Sequence, residues 1–214
     1  MKSKSMLAIL IALIAGLVLI CLLICGVVVV AFGGRLMPTT FSAPASAKKE
    51  PSGLFLIMQN ERWGYMDRAG KVVIAPQFDE AHPFAEGLAL VMIGKRWGYI
   101  DKTGKYAVNP QYDEANDFTE GLAAVSTDDQ WGYIDKTGKV VVDLQFAEAT
   151  DFQQGLAAVR AKDKVGFIDT TGKMVIAPQF DEAWPFEDGL ALVKIGEKFS
   201  YIDRRGQLVW SQAN

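Results

Sequence analysis

The side chains best suited to chemistry recur at a fixed step. Asp67, Asp101, Asp135, Asp169 and Asp203 follow one another at intervals of 34 residues, and Trp63, Trp97 and Trp131 keep the same interval. A column of carboxylates invites a cation. One carboxylate in every 34 residues gives no local cluster, however, whereas calcium gathers about 6–8 oxygens around one ion. Each aspartate is followed three residues later by a glycine: Gly70, Gly104, Gly138, Gly172 and Gly206. An Asp that accepts backbone N–H bonds and a Gly that takes a positive φ make a turn. The aspartates are therefore assigned to turn caps, and no metal is expected.

Other groups fare no better as catalysts. The acid pairs Asp79-Glu80, Asp113-Glu114 and Asp181-Glu182 are adjacent in sequence. On an extended chain they point apart, and acid–base work needs convergent groups. They read as a solvated acidic edge. His82 is the sole histidine, and both cysteines, Cys21 and Cys25, lie in the apolar N-terminal segment. That excludes Cys/His catalysis and a conventional zinc site in the remainder. A Ser/His/Asp triad would need His82 with Ser126, Ser200 or Ser211, and no nucleophile-elbow motif supports it. No phosphate-cradling loop has the required spacing. No catalytic residue and no cofactor are expected. The Trp/Tyr pairs suit sugar stacking, but large aromatics are mostly spent on burial. Trp63, Trp97 and Trp131 are expected to serve the core. Trp184 and Trp210 stand outside that column. Trp184 sits where other units carry His82, Asn116 and Thr150, which makes it the aromatic to bet on for contact with a partner.

The elements that hold these residues are strands. Period 34 invites a helical repeat, but regular glycines and internal prolines are costly in helices. The apolar residues come in short blocks such as LALVMI, WGYI and KVVI, rich in β-branched and aromatic types and bounded by turn residues. Three strands per unit are expected, at 88–93, 97–100 and 105–108 in the second. The turn between the last two suits a hairpin with a type I turn closed by a bulge. The connector, PQFDEAHPFAEG in the first unit, keeps two aromatic positions: Phe78 and Phe84, Tyr112 and Phe118, Phe146 and Phe152, Phe180 and Phe186. They are expected to pin it onto the next unit's sheet. Units start at Gly53, Gly87, Gly121, Gly155 and Gly189, and the fifth is shortened.

These residues resemble the bacterial WG-repeat family, also called KWG repeats. The motif RWGYMDRAGKVVIAPQFDEAHPFAEGLALV carries the likeness, with close copies following across 53–214. Val165 and the pair Phe199-Ser200 depart from Trp-Gly, and Leu144 and Ala147 depart from the Pro and Asp of the connector. The resemblance implies a β-rich repeat scaffold, often secreted or membrane-attached. The fold class expected is all-β: an open, solenoid-like stack of three-stranded units, with a five-bladed propeller as the alternative. Terminal irregularity fits capping units of an open array.

Ahead of the repeats, residues 6–32 are 27 residues without a charged side chain. As a helix they would be about 40 Å long, enough to span a bilayer core of about 30 Å. The segment is long for a signal peptide, although Ala45-Ser46-Ala47 offers a small-x-small site and hence a secreted alternative cleaved near Ala47. Lys2 and Lys4 precede it and only Arg35 follows closely. The positive-inside rule then places residues 1–5 in the cytoplasm and 53–214 outside it, on a single-pass anchor in the bacterial cytoplasmic membrane. Ala8, Ala12 and Gly16 form a small-xxx-small ridge that would allow weak self-association of the span. Residues 33–52 hold three prolines among small residues and read as a tether. Residues 51–214 carry 17 Lys/Arg against 24 Asp/Glu and no basic run, which argues against nucleic acid. The function expected is a tethered module that binds a protein partner, with cell-wall or polysaccharide binding through exposed aromatics as the alternative.

Overall fold

The computed structural model describes residues 53–213. The N-terminal tail, the apolar span and the linker lie outside them. The first unit forms β1 (Leu54–Gln59), β2 (Arg62–Asp67) and β3 (Val72–Phe78). The second forms β4 (Glu80–Ala81), β5 (Ala89–Ile93), β6 (Arg96–Ile100) and β7 (Tyr106–Tyr112). The third adds β8 (Glu114–Ala115), β9 (Leu122–Thr127), β10 (Gln130–Asp135) and β11 (Val140–Phe146). The fourth adds β12 (Glu148–Ala149), β13 (Leu156–Ala161), β14 (Lys164–Asp169) and β15 (Met174–Phe180). The fifth adds β16 (Glu182–Ala183), β17 (Leu190–Ile195), β18 (Lys198–Asp203) and β19 (Leu208–Ser211). Each unit is one antiparallel sheet in sequence order, three-stranded in the first and four-stranded in the others. The architecture is the open all-β stack of tandem units.

Two details differ from the sequence expectation. The third strand is longer than four residues. It runs through Pro76, Gln77 and Phe78 in the first unit, so the connector starts at Asp79. Proline is tolerated there because β3 is an edge strand, where a missing N–H costs no ladder bond. Register shifts between Trp63, Tyr65 and Met66 mark the bulges that accommodate it. The connector also supplies a fourth strand. Its Glu80 and Ala81 pair with Met92 and Val91, so the segment between two units belongs to the sheet of the second.

Single sheets have no interior, and here the core lies between sheets. Tyr65, Ile74, Phe78 and Phe84 pack against Ala89, Val91 and Ile100 of the next unit. The same slab is built from Leu90, Tyr99, Val108, Tyr112 and Phe118 against Ala123, Val125 and Ile134. It recurs twice more toward the C-terminus. Alternation along a strand puts Tyr99 on one face and Ile100 on the other, so each interior sheet contributes to two slabs. Small Ala and Val on one face admit the large rings of the facing sheet. Tyr99 and Phe118 meet with ring centroids 4.7 Å apart, and equivalent pairs stand at 5.0 Å for Tyr65–Phe84 and 4.7 Å for Tyr133–Phe152.

Candidate functional site

The five aspartates cap their turns. In the second unit Asp101 Oδ1 accepts the backbone N–H groups of Thr103 at 2.8 Å and Lys105 at 3.1 Å, and the Thr103 hydroxyl at 2.6 Å. That hydroxyl bond holds the Asp101 carboxyl below the ordinary range, and the same holds for Asp135 with Thr137 and Asp169 with Thr171. Asp67 and Asp203 accept the same two backbone bonds without a threonine. Gly104 takes φ +87° and Gly70 φ +79°, as the turn demands. Among the described residues no three His, Cys, Asp or Glu side chains gather as a metal site.

The tryptophans of the repeat pack against the core, but at its margin. Trp63, Trp97 and Trp131 are half-buried at the margin of the slabs, while Tyr65, Tyr99 and Tyr133 fill the centre. Each tyrosine donates its hydroxyl to a connector carbonyl: Tyr65 to His82 at 2.8 Å, Tyr99 to Asn116 and Tyr133 to Thr150, both at 2.7 Å. Burial pushes all three phenols well above their usual range. The glycine of Trp-Gly makes room for a crossing backbone. A Cβ on Gly98 would sit 2.6 Å from Pro110 N and 2.7 Å from Val108 O, so the bulged edge strand crosses directly over it.

The connectors hold a polar ladder between units. His82 Nδ1 meets Asp117 Oδ1 at 3.1 Å, and Asn116 Nδ2 donates to Asp151 Oδ1 at 2.8 Å. The Asp117 bond raises the His82 pKa, and burial raises that of Asp151. Further along, Gly121 and Gly155 donate their backbone N–H to Glu86 and Glu120 at 3.0 and 2.7 Å. Gly189 does the same to Gln154 at 3.0 Å. Lys136 Nζ pairs with Glu86 at 3.0 Å, and Arg204 donates to the Gln154 carbonyl at 2.6 Å. The first acid of each acid pair also has a structural task. Asp79 pairs with Arg62 and accepts the Gly94 N–H at 2.7 Å, and Asp181 does the same with Lys164 and Gly196 at 2.5 and 2.6 Å. Only the recurrence of a basic residue 17 positions earlier could have revealed this in sequence: Arg62, Arg96 and Lys164 stand before Asp79, Asp113 and Asp181.

One exposed feature is apolar and repeated in four of the five units. The edge strands begin with Val72-Val73, Val140-Val141, Met174-Val175 and Leu208-Val209, all solvent-exposed, and with Tyr106-Ala107, of which Tyr106 is half-buried. Trp184 is 37% exposed and stands 6.0 Å from the exposed ring of Phe199, with Lys194 Nζ 6.0 Å from the same ring.

Similar solved structures are distant. A eukaryotic initiation factor is 11% identical, with a TM-score of 0.53 over 75% of this chain and 52% of that one. Kluyveromyces lactis Hsv2 is 9% identical, with a TM-score of 0.48 over 74% of this chain and 59% of its own. A Bacteroides caccae protein of unknown function is 16% identical, with a TM-score of 0.31 over 75% and 77% of the two chains. This chain therefore spans little more than half the length of the first two. The first likeness is one of fold alone. No curated protein matches the chain. The model of the WG containing repeat matches four successive segments, 63–97, 97–131, 131–164 and 166–199. These segments cover more than half of the chain, and the chain belongs to the WG-repeat family.

Proposed function

We propose that this chain is a non-catalytic, membrane-tethered scaffold of the bacterial cell envelope whose repeat domain binds a protein partner outside the cytoplasm. The observation that carries the reading is the row of exposed apolar pairs on the edge strands. Repeated apolar surface marks interaction sites, and an edge strand offers backbone groups to an added strand. Stacked units present the pairs along one side, so an extended partner segment gains contacts from several units at once. The domain's net negative charge favours a partner that is not strongly acidic. The tether rests on the apolar segment at 6–32 and on Lys2 and Lys4 before it.

Two experiments test this. Crosslinking capture from native membranes with the full chain should yield a protein that is lost in a Val141→Lys, Val175→Lys variant of unchanged melting temperature. Capture unaffected by the variant would refute the edge-strand site. A reporter active only outside the cytoplasm, fused after Asn214, should be active. A mature chain starting at Lys48 would replace the anchor with a cleaved leader. A second reading is favoured by the exposed rings of Trp184 and Phe199, with the half-buried Lys194 beside them, which suit stacking on a sugar ring. Sedimentation with insoluble cell-wall glycan, abolished by Trp184→Ala, would decide for it.

A further inference from the structure

Among the described residues the interface between units is made four times, and the first and fifth units each carry one half of it. Interior sheets present Ala, Val and Ile on one side, as in Ala89, Val91 and Ile100, and Leu, Tyr and Val on the other, as in Leu90, Tyr99 and Val108. The first unit holds Phe55, Ile57 and Met66 at the Ala, Val and Ile positions, and Phe55 is 45% exposed. The fifth holds Leu192, Tyr201 and Trp210 at the Leu, Tyr and Val positions, with Tyr201 40% and Trp210 51% exposed.

Two further contacts have open halves at the ends. A Cβ on Gly104, Gly138, Gly172 or Gly206 would lie 3.3, 3.1, 2.9 or 3.0 Å from Ile74, Val108, Val142 or Ile176 of the preceding unit. At Gly70 nothing lies within 4 Å, and Trp210 occupies the Ile74 position of the last unit. Across interior junctions, Glu86 pairs with Lys136, and Gln154 accepts from Arg204. Asp188 stands at the Glu86 position and Arg68 at the Lys136 position, both exposed, and Asp188 shares the left-handed backbone of Glu86 with φ 48° in each.

We propose that the exposed face of the fifth unit receives the first unit of a second copy, continuing the stack head to tail. Continuity with the interior interface selects this occupant. Shape and charge both match: the open Gly70 turn meets Trp210, and Arg68 meets Asp188. Volume also matches: the end positions carry the larger Phe55 and Trp210 where interior sheets hold Ala89 and Val108. A face-to-face pairing of two fifth units would leave Asp188 without the basic partner that Glu86 finds in Lys136. The head-to-tail contact is heterologous, so it extends to longer rows or closes to a ring. It is separate from the edge-strand row and does not depend on it.

The test uses the full chain in two tagged forms. One carries a photo-crosslinking phenylalanine analogue in place of Trp210, and the other is the acceptor. Mixed and irradiated, they should give a two-tag dimer whose crosslink maps to residues 54–70 of the acceptor. Phe55→Asp in the acceptor places a charge in the apolar junction and should cut the yield about tenfold, with its melting temperature retained. Asp188→Arg in the first form should lower the yield about threefold, the scale of an exposed ion pair, and Arg68→Asp in the acceptor should restore it. A two-tag dimer held by the apolar span would leave residue 210 without a crosslink to that face. No crosslink, one mapping to residues 192–210, or a yield indifferent to Phe55→Asp would overturn the proposal.

Discussion

The second and fifth units carry the same strand pattern in different surroundings. Tyr99 is fully buried, and Tyr201, its counterpart, is 40% exposed. Val108 is 4% exposed and Trp210 is 51% exposed. Both units hold three antiparallel strands joined through a capped turn, and both add a short connector strand. The difference is the presence of a following sheet. Burial in this molecule is thus a property of adjacency: a residue's face is set by strand alternation, and its environment by the neighbour on that face.

The comparison is broken most forcefully at the tyrosine. Tyr99→Ala should destabilise the domain by about 3–5 kcal/mol, the usual loss for a large buried aromatic. Tyr201→Ala should cost less than about 1 kcal/mol, as at most surface positions. Equal losses in chemical denaturation would mean that the fifth unit is covered or that the slab is not the core. Gly98→Ala ranks next. Its Cβ would press on the Pro110 backbone at 2.6 Å, which cannot swing aside, and a cost of about 3 kcal/mol is expected for such overpacking. A variant as stable as the parent would show that the edge strand does not cross there.

Much of this was legible in the residues, for physical reasons. Period, strand type and turn chemistry are local. Asp101 and Gly104 specify a capped turn wherever it stands, and the blocks WGYI and KVVI alternate as strands must. The burial order of Trp97 and Tyr99 was not legible. Alternation places both on one face, but which end of that face the next sheet covers depends on the stacking offset. The slab centre falls on Tyr99, and Trp97 is left at the rim with the His82 ring, 5.6 Å away. The short connector strands were hidden because two residues carry no period. Their pairing comes from a sheet that starts further along the chain.

Turn glycines sharpen the comparison at smaller scale. Gly104→Val and Gly70→Val both force a β-branched residue to positive φ, at about 1–3 kcal/mol. Gly104→Val also drives side-chain atoms into Ile74, whose Cγ atoms lie 3.3 Å from the new Cβ, whereas Gly70 has open space. The melting temperature should therefore fall further for Gly104→Val. Equal falls would leave the turn strained but not stacked. The smallest effect is the pH response of the ladder. The Asp117 bond raises the His82 pKa from its ordinary 6.5. The stabilisation it brings is full below that value and lost as pH rises through the folded-state pKa. Thermal melts across that window should show a small decline with rising pH, absent in His82→Gln. A variant that keeps the decline would assign it to another group.

The central claim, that the core lies between units and opens at the ends, is tested most directly by hydroxyl-radical footprinting of the full chain at high dilution. Two tyrosines at equivalent positions serve as internal standards for each other. Tyr201 and Trp210 should be modified rapidly, Trp97 at an intermediate rate, and Tyr65, Tyr99 and Tyr133 only after global unfolding. Modification of Tyr99 at the rate of Tyr201 would contradict the account.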